Sequence, residues 1–246
     1  MANWSDPRMT AAQGAPATGV GRDGAVVDAG LRSYMLSVYN YMTSGVLLTG
    51  IVALLFAQSG MAAQILMGPG ILKYLIMFAP LAFVMVMSFG INRISYGTLQ
   101  LLFWSFATVM GLSMASIFLV FTGTSIATTF FAVAAAFAGL SLFGYTTKKD
   151  LSGMGTFLIM GVVGLLVAML INLFVQSSVM QLAISAIGVL IFAGLTAYDT
   201  QRIKSLYFHV AGTDMMGKTV IMGALSLYLD FVNMFTFLLQ FMGQRD

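Results

Sequence analysis

Asp230 is the residue of this sequence that costs most to hold in place. It stands about twelve residues into an apolar run over about 218–242, and a charge at bilayer depth costs at least about 2.5–3.5 kcal/mol on insertion scales. Gly223, Ser226, Asp230, Asn233 and Phe237 recur at spacings of three and four, so they share one helical face. Ser226, Asp230 and Asn233 therefore form a polar stripe on an otherwise apolar helix. Such a stripe must face protein or water rather than lipid, which puts this helix in the interior of a bundle. A carboxylate held there can bind a proton or a hard cation. A second acid, Asp199, sits late in another apolar run, in Ala197-Tyr198-Asp199-Thr200-Gln201-Arg202. Spacing alone leaves it two roles: a helix-end acid paired with Arg202 at i+3, or a second functional acid. Arg93 ends a third run, and taken alone it reads as a cationic anchor with a snorkelling stem.

Other chemistries lack their residues. There is no cysteine, so no disulfide framework, zinc–cysteine cluster or thiol nucleophile is available. The single histidine, His209, excludes a multi-histidine metal site, and it reads as a solvated loop residue. Serine and metal-dependent hydrolysis lack their histidines. Two intramembrane aspartates raise an aspartyl protease of the presenilin type, and Tyr198-Asp199 fits half of that signature. The other half fails: Asp230 follows Leu227-Tyr228-Leu229 instead of Gly-x-Gly, and no Pro-Ala-Leu motif comes after it. No enzyme is expected.

The elements that position these residues are legible from composition. Of 246 residues, 59% are hydrophobic and 8% charged, against roughly 45–50% and 25% in soluble domains. Eleven basic and eight acidic side chains cannot clothe a water-facing surface. The expected class is an all-α polytopic membrane protein, its 20 methionines serving as adaptable packing. A net charge of +3 spread over short loops is no basic patch, so nucleic acid is not an expected partner. A bilayer core of about 30 Å needs about 20 apolar helical residues. Seven runs qualify, at about 34–57, 71–92, 98–121, 124–146, 154–175, 180–203 and 218–242. None alternates with period two, which favours helices over a barrel. Gly68-Pro69-Gly70, Phe121 to Ser125 and Gln176-Ser177-Ser178 punctuate them, and Pro80 should kink the second.

Residues 1–33 read as a disordered cytoplasmic tail ahead of a membrane domain over 34–242. The stretch from Ala11 to Gly21 is small, polar and unpatterned, and no apolar core follows a basic start as in a signal peptide. With the tail inside, inner segments carry Arg8, Arg22, Arg32, Arg93, Lys148, Lys149, Arg202, Lys204 and Lys218, and the outer side Lys73 and Arg245. That is a positive-inside bias, and it puts the Asn3-Trp4-Ser5 sequon on the wrong side for glycosylation. Charge leaves open whether the last run spans or dips in and returns. Ala135-xxx-Gly139, with Gly161 and Gly164, is expected to let helices approach closely.

Three segments resemble the Bax inhibitor-1 (TMBIM, or YccA-like) family. Phe143-Gly-Tyr-Thr-Thr-Lys-Lys-Asp150-Leu-Ser is similar to the end of that family's fourth helix. Ile191-Phe-Ala-Gly-Leu-Thr-Ala-Tyr-Asp199-Thr-Gln-Arg-Ile resembles its sixth, and Ala224-Leu-Ser-Leu-Tyr-Leu-Asp230-Phe-Val-Asn-Met-Phe its seventh. The likeness covers about 34–242. It implies six helices around a central seventh, in a multi-pass protein of the plasma (inner) membrane with a cytoplasmic N-terminus. It implies a pH-sensitive calcium leak channel in which Asp199 and Asp230 form a hydrogen-bonded pair that senses pH and gates, and Arg93 latches that pair. Calcium is then the permeant ion, held weakly and transiently by Asp199 and Asp230, and no resident cofactor is implied. The alternative is a non-channel modulator of a membrane-bound quality-control protease, with the tail as its handle. One departure is visible: the inner loop from Lys204 to Lys218 reads as longer than usual.

Physical chemistry supports such a pair independently. Two carboxylates in contact at low dielectric cannot both ionise cheaply, so they should share one proton. Burial and like charge favour the shared proton, and a nearby Arg93 opposes it. Sharing would tie the seventh helix to the sixth, and loss of the proton at higher pH would set the two charges against each other. Calcium takes six to eight oxygens, so two aspartates with Asn233 and carbonyl oxygens make a transit site.

Overall fold

A computed structural model describes residues 20–244, with side chains from residue 28 onward. In order these are α1 (Val20–Gln58), α2 (Met61–Leu66), α3 (Leu72–Gly90), α4 (Tyr96–Met114), α5 (Ile117–Val120), α6 (Gly123–Thr146), α7 (Ser152–Val175), α8 (Ser178–Val210) and α9 (Met215–Met242). Seven helical stretches are long and apolar enough to cross a membrane, over 28–58, 72–90, 96–120, 123–146, 152–175, 178–210 and 215–242. They coincide with the seven runs to within a few residues at most ends. The chain is an all-α polytopic membrane protein.

Four boundaries differ from the sequence expectation. Residues 1–19, the sequon among them, lie outside the described residues, as do Arg245 and the side chain of Arg22. The rest of the expected tail, from Val20, already belongs to α1. Leu31, Tyr34, Met35 and Val38 are buried at helical spacing, so the core holds this helix from Leu31 onward. The third run is two helices: α4 ends at Met114, and i→i+3 bonds from Phe118 N to Ala115 O and Leu119 N to Ser116 O tighten the chain into α5. The loop expected from Lys204 to Lys218 is mostly helix, since α8 runs on to Val210 and α9 starts at Met215. His209 therefore stands in the last turn of α8, with Nδ1 3.2 Å from Ser205 O. α3 continues through the buried Pro80.

α9 is one helix of 28 residues, about 42 Å at about 1.5 Å per residue, and its two ends lie at opposite ends of the bundle. Near its start, Lys218 Nζ donates to Ile91 O at 3.1 Å in the turn between α3 and α4. Near its finish, Gln181 Nε2 of α8 donates to Gln240 Oε1 at 2.8 Å, Thr122 N donates to Gln244 O at 3.1 Å and Gln244 N donates to Ser125 Oγ at 3.0 Å. The last run therefore traverses the bundle and does not turn back. Among the described residues Arg93, Lys148, Lys149, Arg202, Lys204 and Lys218 gather at the end where α9 starts, with Arg32 near that end of α1, and Lys73 stands at the other.

Burial sorts the spans. In α9, 72% of the apolar window is buried, against 11–33% in the others. α9 packs mainly on α8, α1, α6 and α4, while α3 leans on α4 and α7 on α8. Its main neighbours are thus four helices. The outermost helix, α7, is the most apolar of the seven, as a lipid-facing helix must be, and α9 is enclosed enough to carry a charge.

Candidate functional site

Glycines set the helix spacing around the two aspartates, but they are not all the expected ones. A Cβ added at Gly139 or Gly164 would meet nothing within 4 Å. Ala135 and Gly139 are exposed, so that small-residue motif faces outward and joins no helices. Gly161 does pack, with Ile191 Cδ1 2.9 Å from where its Cβ would be. Next to Asp199 the close approaches fall at Gly144 and Gly155. A Cβ at Gly144 would run into the backbone of Ala197, and one at Gly155 into the Tyr198 ring. The residues before Asp199 are thus clamped by α6 on one side and α7 on the other.

Polar contacts tighten the same clamp. Gln201 Nε2 donates to Lys149 O at 2.8 Å while Leu151 N donates to Gln201 Oε1 at 2.9 Å, so one side chain satisfies two backbone groups of the α6–α7 loop. Lys204 Nζ donates to Tyr145 O at 2.7 Å and lies 4.9 Å from the Tyr145 ring. Ser141 and Thr200 hydroxyls meet at 3.3 Å. Ser152 donates to Asp150, holding that carboxyl below the usual carboxylate range. The segments Phe143–Ser152 and Ile191–Ile203 interlock, a relation neither displays alone.

Asp230 faces α8 through an antiparallel register. Gly223 packs on Ile203, and Phe237 stacks on Phe192 at 5.8 Å and covers Gly188. The residues of α9 midway between these contacts, Asp230 among them, therefore lie opposite the middle of that stretch of α8, beside Asp199. Asp230 is 4% exposed, and its Oδ2 is buried without a hydrogen-bond partner among the described residues. Asp199 is half-buried on α8, and Arg202 is exposed one turn further on, with no ion pair between the two among the described residues. The register thus sets the two aspartates at about the same level of the α8–α9 interface, and the expected hydrogen bond between them is not formed: Asp230 Oδ2 has no partner among the described residues. Among the described residues no cluster of three or more histidine, cysteine or acidic side chains exists that could hold a metal ion, so the pair stands as two carboxylates alone.

The other expected participants are placed differently. Arg93 lies exposed in the turn after α3. It is Lys218 that ties this turn to α9. Asn233 Nδ2 donates to Leu229 O of its own helix at 2.8 Å. Ser226 is half-buried on the stripe. Composition and motif reading passed over the opposite face of α9, where Tyr228 OH meets Thr49 Oγ1 at 2.6 Å and Thr49 donates to Ala107 O at 2.8 Å. Phe103 and Phe106 pack edge-on to the Tyr228 ring, at 6.4 and 5.1 Å. The signal was a tyrosine inside an apolar run, which needs a partner once buried.

Comparison with known proteins places the whole arrangement. The family model described as "Inhibitor of apoptosis-promoting Bax1" matches residues 31–246. The chain is 46% identical over 219 residues to RP147 of Rickettsia prowazekii, covering 89% of this chain and 92% of that one. A Caulobacter vibrioides protein is 45% identical over 228 residues, covering 88% and 90%. The inner membrane protein YbhL of Escherichia coli K12 is 42% identical over 219 residues, covering 88% and 94%. With its seven apolar helices and a match to that family over nearly the whole membrane domain, this chain belongs to the Bax inhibitor family.

Proposed function

We propose that this protein is a calcium leak channel of the inner membrane, gated by a proton held between Asp199 and Asp230. The observation that carries the reading is the buried, unpartnered Oδ2 of Asp230 at the α8–α9 interface, with Asp199 at about the same level on α8. An acid in such a place is a functional group by default. With the proton shared, the carboxyls bind each other and hold α9 against α8. Without it, two like charges at low dielectric repel, and the α8–α9 contact loosens at the centre of the bundle. Calcium then replaces the proton as the neutralising partner, weakly, because two carboxylates supply few of the six to eight oxygens it takes.

The inner-membrane setting is supported by the name of the relative YbhL. The cation-rich end is assigned to the cytoplasm by the positive-inside rule, which puts the start of α1 inside and Gln244 outside. Arg93 is proposed as the latch on its match to the family's arginine; Arg202 is the competing candidate, since it follows Asp199 by one turn of α8. Calcium flux through the purified protein in liposomes tests the reading. Flux without any partner protein supports a channel, and its absence at every pH would leave the protease modulator as the better account.

A further inference from the structure

α1 packs on α4 and α9, and α6 packs on α8 and α9, so the outer sides of α1 and α6 stand apart over a floor of α9. The gap is a cavity of about 750 Å³, within the range of about 300–1,000 Å³ that suits a small-molecule ligand. Met35 and Met42 of α1, Ala134 and Ala138 of α6 and Phe231 of α9 line it. Its mouth carries Arg32 and Tyr145, and Lys204 is held against Tyr145 just behind. At its far end Phe130 meets Phe231 edge-on at 5.6 Å. From Arg32 to Leu47, both lining residues, is fifteen residues of helix, about 22 Å at about 1.5 Å per residue. One bilayer leaflet with its headgroups is about 20–22 Å deep, half of the whole membrane's thickness.

We infer that this groove is a binding site for one anionic glycerophospholipid of the leaflet at the cation-rich end. The phosphate sits at Arg32, the tyrosine at the level where its ring and hydroxyl meet apolar and wet surroundings, and one acyl chain runs down between α1 and α6 to the Phe130–Phe231 pair. Charge selects the occupant: an apolar trough capped by an exposed guanidinium and an adjacent ammonium complements a negative headgroup on an apolar chain. A zwitterionic lipid brings the same phosphate, but its own cation is then set against Arg32 and Lys204. This site is independent of the gating reading, and no residue of the aspartate pair lines it.

The test is native mass spectrometry of the full chain released from detergent, after exchange with phosphatidylglycerol or phosphatidylcholine of equal acyl length. One phosphatidylglycerol should remain bound per chain and outlast phosphatidylcholine. Arg32→Gln, an exposed change that leaves the core alone, should cut the preference for phosphatidylglycerol about fivefold, the worth of one cation near a charged membrane surface. Ala138→Trp fills the trough and should remove the bound lipid altogether. Equal retention of both lipids by the native chain, or unchanged binding in both variants, would overturn the site. Because the native chain has no cysteine, Ala138→Cys adds a clean control: efficient bismaleimide cross-linking of two chains in membranes would show that a second copy fills the groove instead.

Discussion

Gly139 and Gly144 lie one and a half turns apart on α6, and the same substitution should act oppositely at the two. Replacing glycine by alanine inside a helix stabilises it by roughly 0.5–1 kcal/mol through lost backbone entropy. At Gly139 the new methyl meets nothing within 4 Å, so that gain stands alone. At Gly144 it meets the carbonyl of Ala197, with Ala197 C and Cα 2.9 and 3.0 Å away. These are backbone atoms and cannot rotate aside, so α6 and α8 must separate. Overpacking of this kind costs typically about 1–3 kcal/mol. The propensity gain is common to both variants, so their difference isolates the overlap, about 1–3 kcal/mol. At about 2–4 °C per kcal/mol for a chain of this size, Gly144→Ala should melt about 2–12 °C below Gly139→Ala in the same detergent. Gly144→Ala should also disturb the pH response of calcium leak, because Ala197 is two residues from Asp199. Equal melting temperatures, or a more stable Gly144→Ala, would refute the claim that these helices touch backbone to backbone there.

Three further outcomes follow from the geometry. Thr49→Val leaves the fully buried Tyr228 hydroxyl without its partner and should cost about 1–3 kcal/mol; adding Tyr228→Phe should recover most of that, and a double-mutant cycle by thermal unfolding measures it. A single introduced cysteine maps the topology: Ser178→Cys and Gln244→Cys should react with a membrane-impermeant thiol reagent on intact cells and Ser205→Cys should not, with the reverse pattern overturning the orientation and a protected Gln244→Cys overturning the traverse of α9. Arg93→Ala should raise basal leak above that of the native chain while Arg202→Ala does not; the opposite ranking would transfer the latch to Arg202, one turn after Asp199 on α8.

How much could be read from the chain follows the range of each interaction. The seven spans were visible because each is a local property, a stretch of about 20 apolar residues. The interior position of α9 was visible because a polar stripe with Asp230 at its centre cannot face lipid. Whether α9 spans was hidden, since Gln240 and Gln244 find Gln181, Thr122 and Ser125, all remote in sequence. The small-residue reading failed at Gly139 for a related reason. Spacing marks a face but not what opposes it, and Ala197 opposes Gly144 instead. Gln201 and Lys204 were quoted or counted as motif and charge, but their work on Lys149, Leu151 and Tyr145 needs the fold. The length of the α8–α9 connection misled because polar residues between Lys204 and Lys218 read as loop, although nothing there breaks a helix before Gly212.

The proposed aspartate pair is tested most directly by calcium flux through the purified chain in liposomes as pH is stepped from about 6 to about 8, where two close carboxylates at low dielectric should exchange one shared proton. The native chain should leak more as pH rises. Asp199→Asn and Asp230→Asn should each lose that dependence as completely as the double variant, because a shared proton needs both carboxylates and the two act as a unit. Asp214→Asn, outside the spans at the start of α9, should respond like the native chain. A full pH response in Asp199→Asn, with its loss in Asp230→Asn, would contradict the pair and return Asp199 to a helix-end acid serving Arg202.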